Sequence, residues 1–300
     1  MMQWEPTVPW PQRSATLLAG LLALVIVLAT LSILVFARAL AISQRGPVPK
    51  CRRRHTPTHL LVVLGSGGHT TEMFSMLRCM PLDPTIYTYR TYVVSSGDSF
   101  SARKALEFEE ELKGNGHHDH ADGEKHDDDA SSLQSDSYII ITVPRARRVH
   151  QSFLTAPFST LQCFWACLQV LRGAHPDQRS FKRKAASTYP DLILTNGPAT
   201  AVCVILAAKL LRLLNYTFSR PSRSLQSPSG QCVGSESKEL SPAPLRTIFV
   251  ESWARVTTLS LSGKILLPFV DRFLVQWPAL AGRRAWKGMR ETQYVGTLVY

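Results

Sequence analysis

The chain has 300 residues, 34 Lys and Arg against 22 Asp and Glu, and a formal net charge of +12. Its six cysteines show neither paired zinc spacing nor a secreted disulfide framework, which excludes a zinc module and a disulfide-built scaffold and agrees with a cytosolic body. A basic balance suits an anionic surface, and the lack of any nucleic-acid recognition motif turns the choice from nucleic acid toward a membrane.

The first predicted element is a membrane anchor. No charged residue occurs between Arg13 and Arg38, and Ser14–Ala37 is dominated by Leu, Val, Ile and Ala. At a helical rise of ~1.5 Å per residue that segment crosses a hydrocarbon core of ~30 Å. A cleaved signal peptide is the rival, helped by the small residues Ala37, Ala39 and Ala41, but its apolar region is usually only ~7–15 residues long. Arg45, Lys50, Arg52, Arg53 and Arg54 follow the span, whereas Arg13 stands against Glu5 before it. The positive-inside bias therefore predicts a single-pass protein with its main domain in the cytosol.

Leu60-Leu-Val-Val-Leu-Gly-Ser-Gly-Gly-His-Thr70 then reads as a buried strand, a glycine loop and a helix start. Gly65, Gly67 and Gly68 can take positive φ, and Met73, Met76, Leu77 and Met80 fall at helical spacing. The positive end of that helix points at the loop, where an anion would sit. Further strands are predicted at Thr91–Ser95, Tyr138–Val143, Asp191–Thr195, Thr247–Glu251 and Phe273–Gln276, with Leu60–Leu64 the first. Helices are predicted at Thr70–Met80, Phe100–Lys113, Phe153–Arg172 and Thr200–Leu214, the third carrying Cys163 and Cys167 as core residues. The alternation predicts an α/β fold, a doubly wound parallel Rossmann-like sheet spanning 58–300 behind a transmembrane anchor at 14–37. Two polar stretches, 114–137 and 219–244, are predicted to be disordered insertions. The histidines and aspartates of the first have no spacing that imposes a coordination geometry, so neither metal nor cofactor is expected.

Ligands of such sheets collect at the carboxyl ends of the strands. There the loops 65–69, 95–98, 144–150, 196–198 and 251–255 hold the conspicuous polar residues. Gly65-Ser66-Gly67-Gly68-His69-Thr70 is no P-loop, since it lacks the Gly-Lys-Ser/Thr ending, and Thr70 replaces the third glycine of a dinucleotide fingerprint. By itself it fits a phosphate-type ligand or a tight strand–helix turn, and His69 fits a ligand contact, a cap or a core position. Arg145, Arg147 and Arg148 place forked donors beyond a strand end, suited to phosphate oxygens.

These motifs join Thr195-Asn196-Gly197-Pro198, Val250-Glu251-Ser252-Trp253-Ala254-Arg255, Thr258-Leu-Ser-Leu-Ser-Gly-Lys264 and Phe273-Leu-Val-Gln-Trp-Pro278 in one fixed order. The set, from Thr58 to Tyr300 without the insertions, resembles the membrane-anchoring subunit family of the endoplasmic-reticulum UDP-N-acetylglucosamine transferase that makes dolichol-linked chitobiose. The glycine loop is also similar to that of bacterial MurG-type glycosyltransferases. The resemblance implies one half of a GT-B enzyme in the endoplasmic-reticulum membrane, amino terminus lumenal. This half would hold dolichyl-diphosphate-GlcNAc and recruit a soluble subunit that binds UDP-GlcNAc, and it would be inactive alone. It leaves room for other early dolichol-pathway glycosyltransferases in the assembly. Substrate-binding candidates are Gly65, Ser66, Gly67, Gly68, His69, Thr70, Arg145, Arg147, Arg148, Asn196, Gly197, Pro198, Ser252 and Arg255. Ala199 and Arg148 depart from the glycine and the acid that the family pattern usually has.

Attack by the acceptor's 4-hydroxyl with inversion needs a base, and His69, Glu72 and Glu251 are the candidates. Each has a structural alternative: Glu72 as a partner of first-turn N–H groups, Glu251 as a partner of Arg255. Between Lys264 and Arg290, basic residues interleave with Leu266, Leu267, Phe269, Trp277 and Trp286, which suits an anionic membrane surface or a solvated basic face. Tyr294, Leu298, Val299 and Tyr300 form an apolar end segment, expected to meet the soluble partner or to lie back as an edge strand. A self-sufficient small nucleotide-sugar enzyme and a non-catalytic anchor with a vestigial phosphate loop are the other readings.

Overall fold

The protein is described from a computed structural model over residues 10–45, 57–80, 82–83, 86–116, 137–147, 151–152, 155–179, 189–197, 199–218 and 245–299. It divides into two units, 1–47 and 48–300. The described residues of the first form helix α1 (Trp10–Arg45), whose side chains over 17–32 are all exposed. Among the described residues no helix is long and apolar enough to cross a membrane; in α1 the side chains are described continuously only over 17–32.

The second unit alternates strand and helix. In chain order it runs β1 (His59–Val63), α2 (Gly68–Arg78), β2 (Tyr89–Ser95), α3 (Ser99–Gly116), β3 (Tyr138–Val143), α4 (Ala156–Leu171) and a short α5 (Pro176–Arg179). It continues with β4 (Leu192–Asn196), α6 (Thr200–Phe218), β5 (Arg246–Val250), α7 (Leu261–Leu266), β6 (Arg272–Val275), one 3-10 turn (Pro278–Leu280) and β7 (Thr292–Tyr294). The strands form one seven-stranded sheet in the order β3-β2-β1-β4-β5-β6-β7, every neighbouring pair parallel. That is the predicted α/β sheet, with α5, α7, the 3-10 turn and β7 added to what the sequence pattern predicted. The expected insertions fall outside the described residues, except that 114–116 continue α3 and Ser137 leads into β3.

Two apolar layers sandwich the sheet because successive strand side chains alternate faces. On one face Leu60, Val62, Leu64, Tyr92 and Val94 pack with Met73, Phe74 and Leu77 of α2 and Phe108 of α3. On the other, Leu61, Val63, Val93, Ile141 and Ile193 pack with Cys163, Cys167 and Val170 of α4 and with Ala201, Val204 and Ala208 of α6. The two cysteines therefore act as core residues. A buried ion pair joins β2 and α3: Arg90 donates through Nε to Glu109 Oε1 at 2.6 Å and through Nη2 to Oε2 at 2.7 Å. Tyr92 donates to the same carboxylate at 2.7 Å, so the Glu109 charge has several donors.

The strand order reverses between β1 and β4, the topological switch point where ligands of open α/β sheets bind. The carboxyl ends of both strands meet there, one entering the glycine loop and the other the Asn196-Gly197 turn.

Candidate functional site

The site grows from β1. Its all-apolar run ends at Leu64, and the chain must then turn sharply into α2. Gly67 makes that turn at φ 59°, a left-handed conformation that favours glycine. Gly65 is required for a different reason, since a Cβ there would lie 2.7 Å from His69 Cβ. Gly68 has no positive φ and open space around it, so the expectation of positive φ at all three glycines is corrected to Gly67 alone. The first-turn N–H groups of Thr70 and Thr71 bond to Gly67 O, while those of Ser66, Gly67, Gly68 and His69 have no protein acceptor among the described hydrogen bonds.

Thr70 does not face this open side. Its hydroxyl donates inward to Gly65 O and shares a 2.6 Å bond with Ser101, which in turn bonds Asp98 at 2.7 Å. Thr70 is fully buried, so its side chain fixes the loop from beneath and its expected contact with a ligand is corrected to support. Ser66 stands exposed at the tip.

His69 lies between two backbones. A Cβ at Gly197, whose φ is 92°, would approach its Cγ at 3.1 Å, so glycines on both sides leave just enough room for the imidazole. Its Nδ1 is 3.6 Å from Glu72 Oε2, and the ring is one-third exposed. Glu72 is buried and does not cap its own helix. Instead its Oε1 accepts from the backbone N–H of Trp253, beyond β5, and from Gln276 Nε2 at 3.1 Å, beyond β6. Burial opposes its charge, but His69, the Asn196 amide, the Trp253 N–H and the Ser252 hydroxyl outweigh that cost and hold its carboxyl below the usual carboxylate range.

Asn196 ends β4 at 1% exposure, and neither amide atom makes a hydrogen bond. It lies close enough to Glu72 to favour that charge without reaching hydrogen-bonding geometry. A buried amide normally finds partners, so this one marks a place where a polar ligand group would be held.

Glu251 differs. Its Oε2 accepts from Ser260 N at 3.1 Å and its Oε1 from Ser252 N at 3.3 Å, and Ser260 caps α7 by accepting from Gly263 N. It is 1% exposed, and burial pushes its carboxyl above the usual range. No ion pair to Arg255 is among those described; Arg255 is exposed and its N–H turns back to Ser252 O at 2.9 Å. Glu251 thus organises the β5–α7 loop beneath the surface, with the Arg255 charge favouring its ionised form against the larger effect of burial.

Arg145 is anchored two strands away. Its Nε donates to Ser96 O at 2.8 Å and its N–H to Ser96 Oγ at 3.3 Å, tying the β3 and β2 loops together while Arg147 is exposed beside it. Arg148, Pro198 and Tyr300 lie outside the described residues. The structure therefore brings together the glycine loop, His69, Glu72, Asn196, Gly197 and Ser252, leaves the Arg255 side chain exposed in the loop that carries Ser252, and places Arg145 along the same sheet edge.

Of the two expectations for the end segment, the structure shows it lying back on this chain. Tyr294 closes edge strand β7 and is exposed, but Leu298 and Val299 pack against the core, and Leu298 N donates to Gln276 Oε1 at 3.0 Å. Gln276 itself was not among the sequence candidates, nor were Ser96, Ser101 and Trp253. Gln276 is the last residue of the predicted strand Phe273–Gln276, so the rule that ligand sites gather at strand carboxyl ends could have found it. An uncharged side chain gives no other cue. Among the described residues no group of three or more His, Cys, Asp or Glu converges as a metal site.

Comparison with known proteins agrees with this arrangement of motifs. The family of "Oligosaccharide biosynthesis protein Alg14 like" proteins matches residues 60–298. The "UDP-N-acetylglucosamine transferase subunit alg14" of Aspergillus fumigatus is 61% identical over 239 residues, 76% of this chain and 100% of that protein. The protein of the same name from Schizosaccharomyces pombe is 35% identical over 276 residues, 92% of this chain and 96% of that protein. The human one is 32% identical over 221 residues, covering 74% and 76%. With the family pattern running from β1 to the segment that bonds Gln276, the chain belongs to the Alg14-like family of oligosaccharide biosynthesis proteins.

Proposed function

We propose that this chain is the acceptor-binding subunit of a split UDP-N-acetylglucosamine transferase. It holds dolichyl-diphosphate-GlcNAc, recruits a soluble subunit carrying UDP-GlcNAc, and is inactive by itself. Segment 14–37 serves as its anchor in the endoplasmic-reticulum membrane, with the amino terminus lumenal and the 58–300 domain cytosolic. The observation that carries the reading is the His69–Glu72 pair, set at the switch point beside free loop N–H groups and the unpartnered amide of Asn196.

Each part has a chemical task. The N–H groups of the glycine loop and the guanidinium groups of Arg145 and Arg147 suit a diphosphate at the sheet edge. Glu72, charged and firmly bonded, faces Nδ1 of His69 and leaves the other ring nitrogen for the acceptor's 4-hydroxyl. His69 takes that proton as the oxygen attacks the anomeric carbon of the donor sugar, and the UDP leaves from the opposite face. Asn196 holds a sugar or phosphate oxygen.

The test is chitobiosyl-lipid synthesis by the purified full chain, with and without its soluble partner, for wild type and for Arg145→Ala. Activity only with the partner, and a raised KM for the lipid acceptor with little change for UDP-GlcNAc, is the expected result. Activity without the partner would favour a self-sufficient enzyme. An Arg145→Ala defect confined to the sugar nucleotide would put the loop on the wrong substrate.

A further inference from the structure

Gln276 connects two regions that the sequence separates widely. It is 2% exposed and directly follows β6, on the same sheet edge as the glycine loop. Its Nε2 donates to Glu72 Oε1 at 3.1 Å and to Glu251 O at 3.1 Å, while its Oε1 accepts from Leu298 N at 3.0 Å. An amide has one acceptor oxygen and one donor nitrogen, and the two cannot exchange places without breaking every one of these bonds. Its orientation is thus set by the backbone of segment 295–299, whose Leu298 and Val299 pack on the same core layer as Leu64 and Met73.

We infer that Gln276 is a positioning residue through which segment 295–299 sets the Glu72–His69 pair, so that docking of this segment is a condition for catalysis and not only for assembly. The inference rests on the reading of His69 as the base. When Leu298 N–H holds Gln276 Oε1, the amide nitrogen is aimed at Glu72; when it does not, only Glu251 O still restrains the amide, which can turn so that Glu72 loses a donor. A carboxylate with one donor fewer is more basic, and the pair then keeps its proton to a higher pH. The charged or titratable neighbours are few. His69 lies on the same helix as Glu72, Glu251 and Arg255 are in the loop after β5, and β4 and β6 contribute the neutral Asn196 and Gln276. Glu251 turns its carboxylate to Ser260 and Arg255 is exposed, so neither replaces the donor that Gln276 supplies.

The experiment uses the full chain reconstituted with its soluble partner, at saturating partner, and reads the pH profile of kcat. Leu298→Pro deletes the N–H that orients Gln276, and Leu298→Ala keeps that N–H while losing the side chain. Gln276→Glu replaces the donor with an acceptor. Leu298→Pro and Gln276→Glu are expected to lower kcat about tenfold and to move the acid limb up by roughly half a pH unit or more, with the KM for UDP-GlcNAc within about twofold of wild type. Leu298→Ala is expected to leave the acid limb where it is. Co-purification with the partner shows which variants are folded. If the limbs of Leu298→Pro and Leu298→Ala coincide and Gln276→Glu matches wild type, the inference is overturned. His69→Gln separates the two levels: retained activity there means that the base assignment has failed, whereas lost activity with coincident limbs means that only the link through Gln276 has.

Discussion

Gly65, Gly67 and Gly68 look equivalent in the sequence, yet three different conditions hold at these positions. Gly67 needs its left-handed φ, Gly65 needs the absence of a Cβ beside His69, and Gly68 needs neither. Gly65→Ala is therefore expected to push the imidazole out of line and to cost about a hundredfold in kcat of the reconstituted enzyme, the scale of a misplacement near 1 Å. Gly68→Ala is expected to stay close to wild type in the same assay. Equal losses in both would show that the loop responds to bulk in general. A sequence alone shows that glycines are present, but which atom each one makes room for depends on a turn from another strand, here Gly197. The same holds for Glu72 and Glu251. Both are candidate acids in the sequence, but one is held charged by His69 and by donors from the end of β4 and beyond β5 and the other is pushed toward its neutral form by burial.

Among the ionisable groups of helix α6, none of which the site uses, Lys209 is the one that burial shifts into an accessible pH range. Lys209 Nζ is buried without a hydrogen-bond partner, and burial pushes its ammonium down to about 8, against the favourable charge of Asp271. Its folded value lies below its unfolded one, so from about pH 8 to 10.5 the folded chain has released a proton that the unfolded chain still holds. Stability should rise with pH across that window. Lys209→Met is expected to flatten the rise and to stabilise the domain at neutral pH by about 1 kcal/mol, since it removes an unsatisfied buried donor. Asp271 keeps Arg212 and Arg290 in either case. Thermal unfolding of the detergent-solubilised chain at a series of pH values checks both, and a steeper rise in the variant would contradict the assignment. At this scale the long elements were legible because β1, β4 and the helices α2, α4 and α6 bury strongly periodic apolar residues. The six-residue α7 and the three-residue β7 were not. The first has a glycine at its centre and is fixed by the buried Glu251–Ser260 contact, and the second is an edge strand with two of three side chains exposed.

Across the whole molecule the fold class and the sheet edge bearing the site followed from the alternation of elements, whereas the inward folding of segment 295–299 did not. Its apolar residues suit a partner and a core equally well until Gln276 is in place to hold them. The exposed Val295 and the neighbouring Tyr294 of β7 are the better test of recruitment. Tyr294 is 51% exposed and Val295 41%, so Tyr294→Asp is expected to weaken co-purification of the soluble partner while leaving the unfolding temperature of this chain within a degree or two. An unchanged yield of partner would move the recruitment surface elsewhere. The bonds of Glu72 also have a kinetic side. Its partners Trp253 and Gln276 lie 181 and 204 residues along the chain, so its environment is among the most non-local contacts in the domain. Closing such loops is entropically costly until the intervening strands have paired, which places these contacts late in folding. A chain halted with β1, β2 and their helices formed would have its glycine turn but an unsupported Glu72, so the chemistry of the site would emerge only once the sheet is complete out to β6.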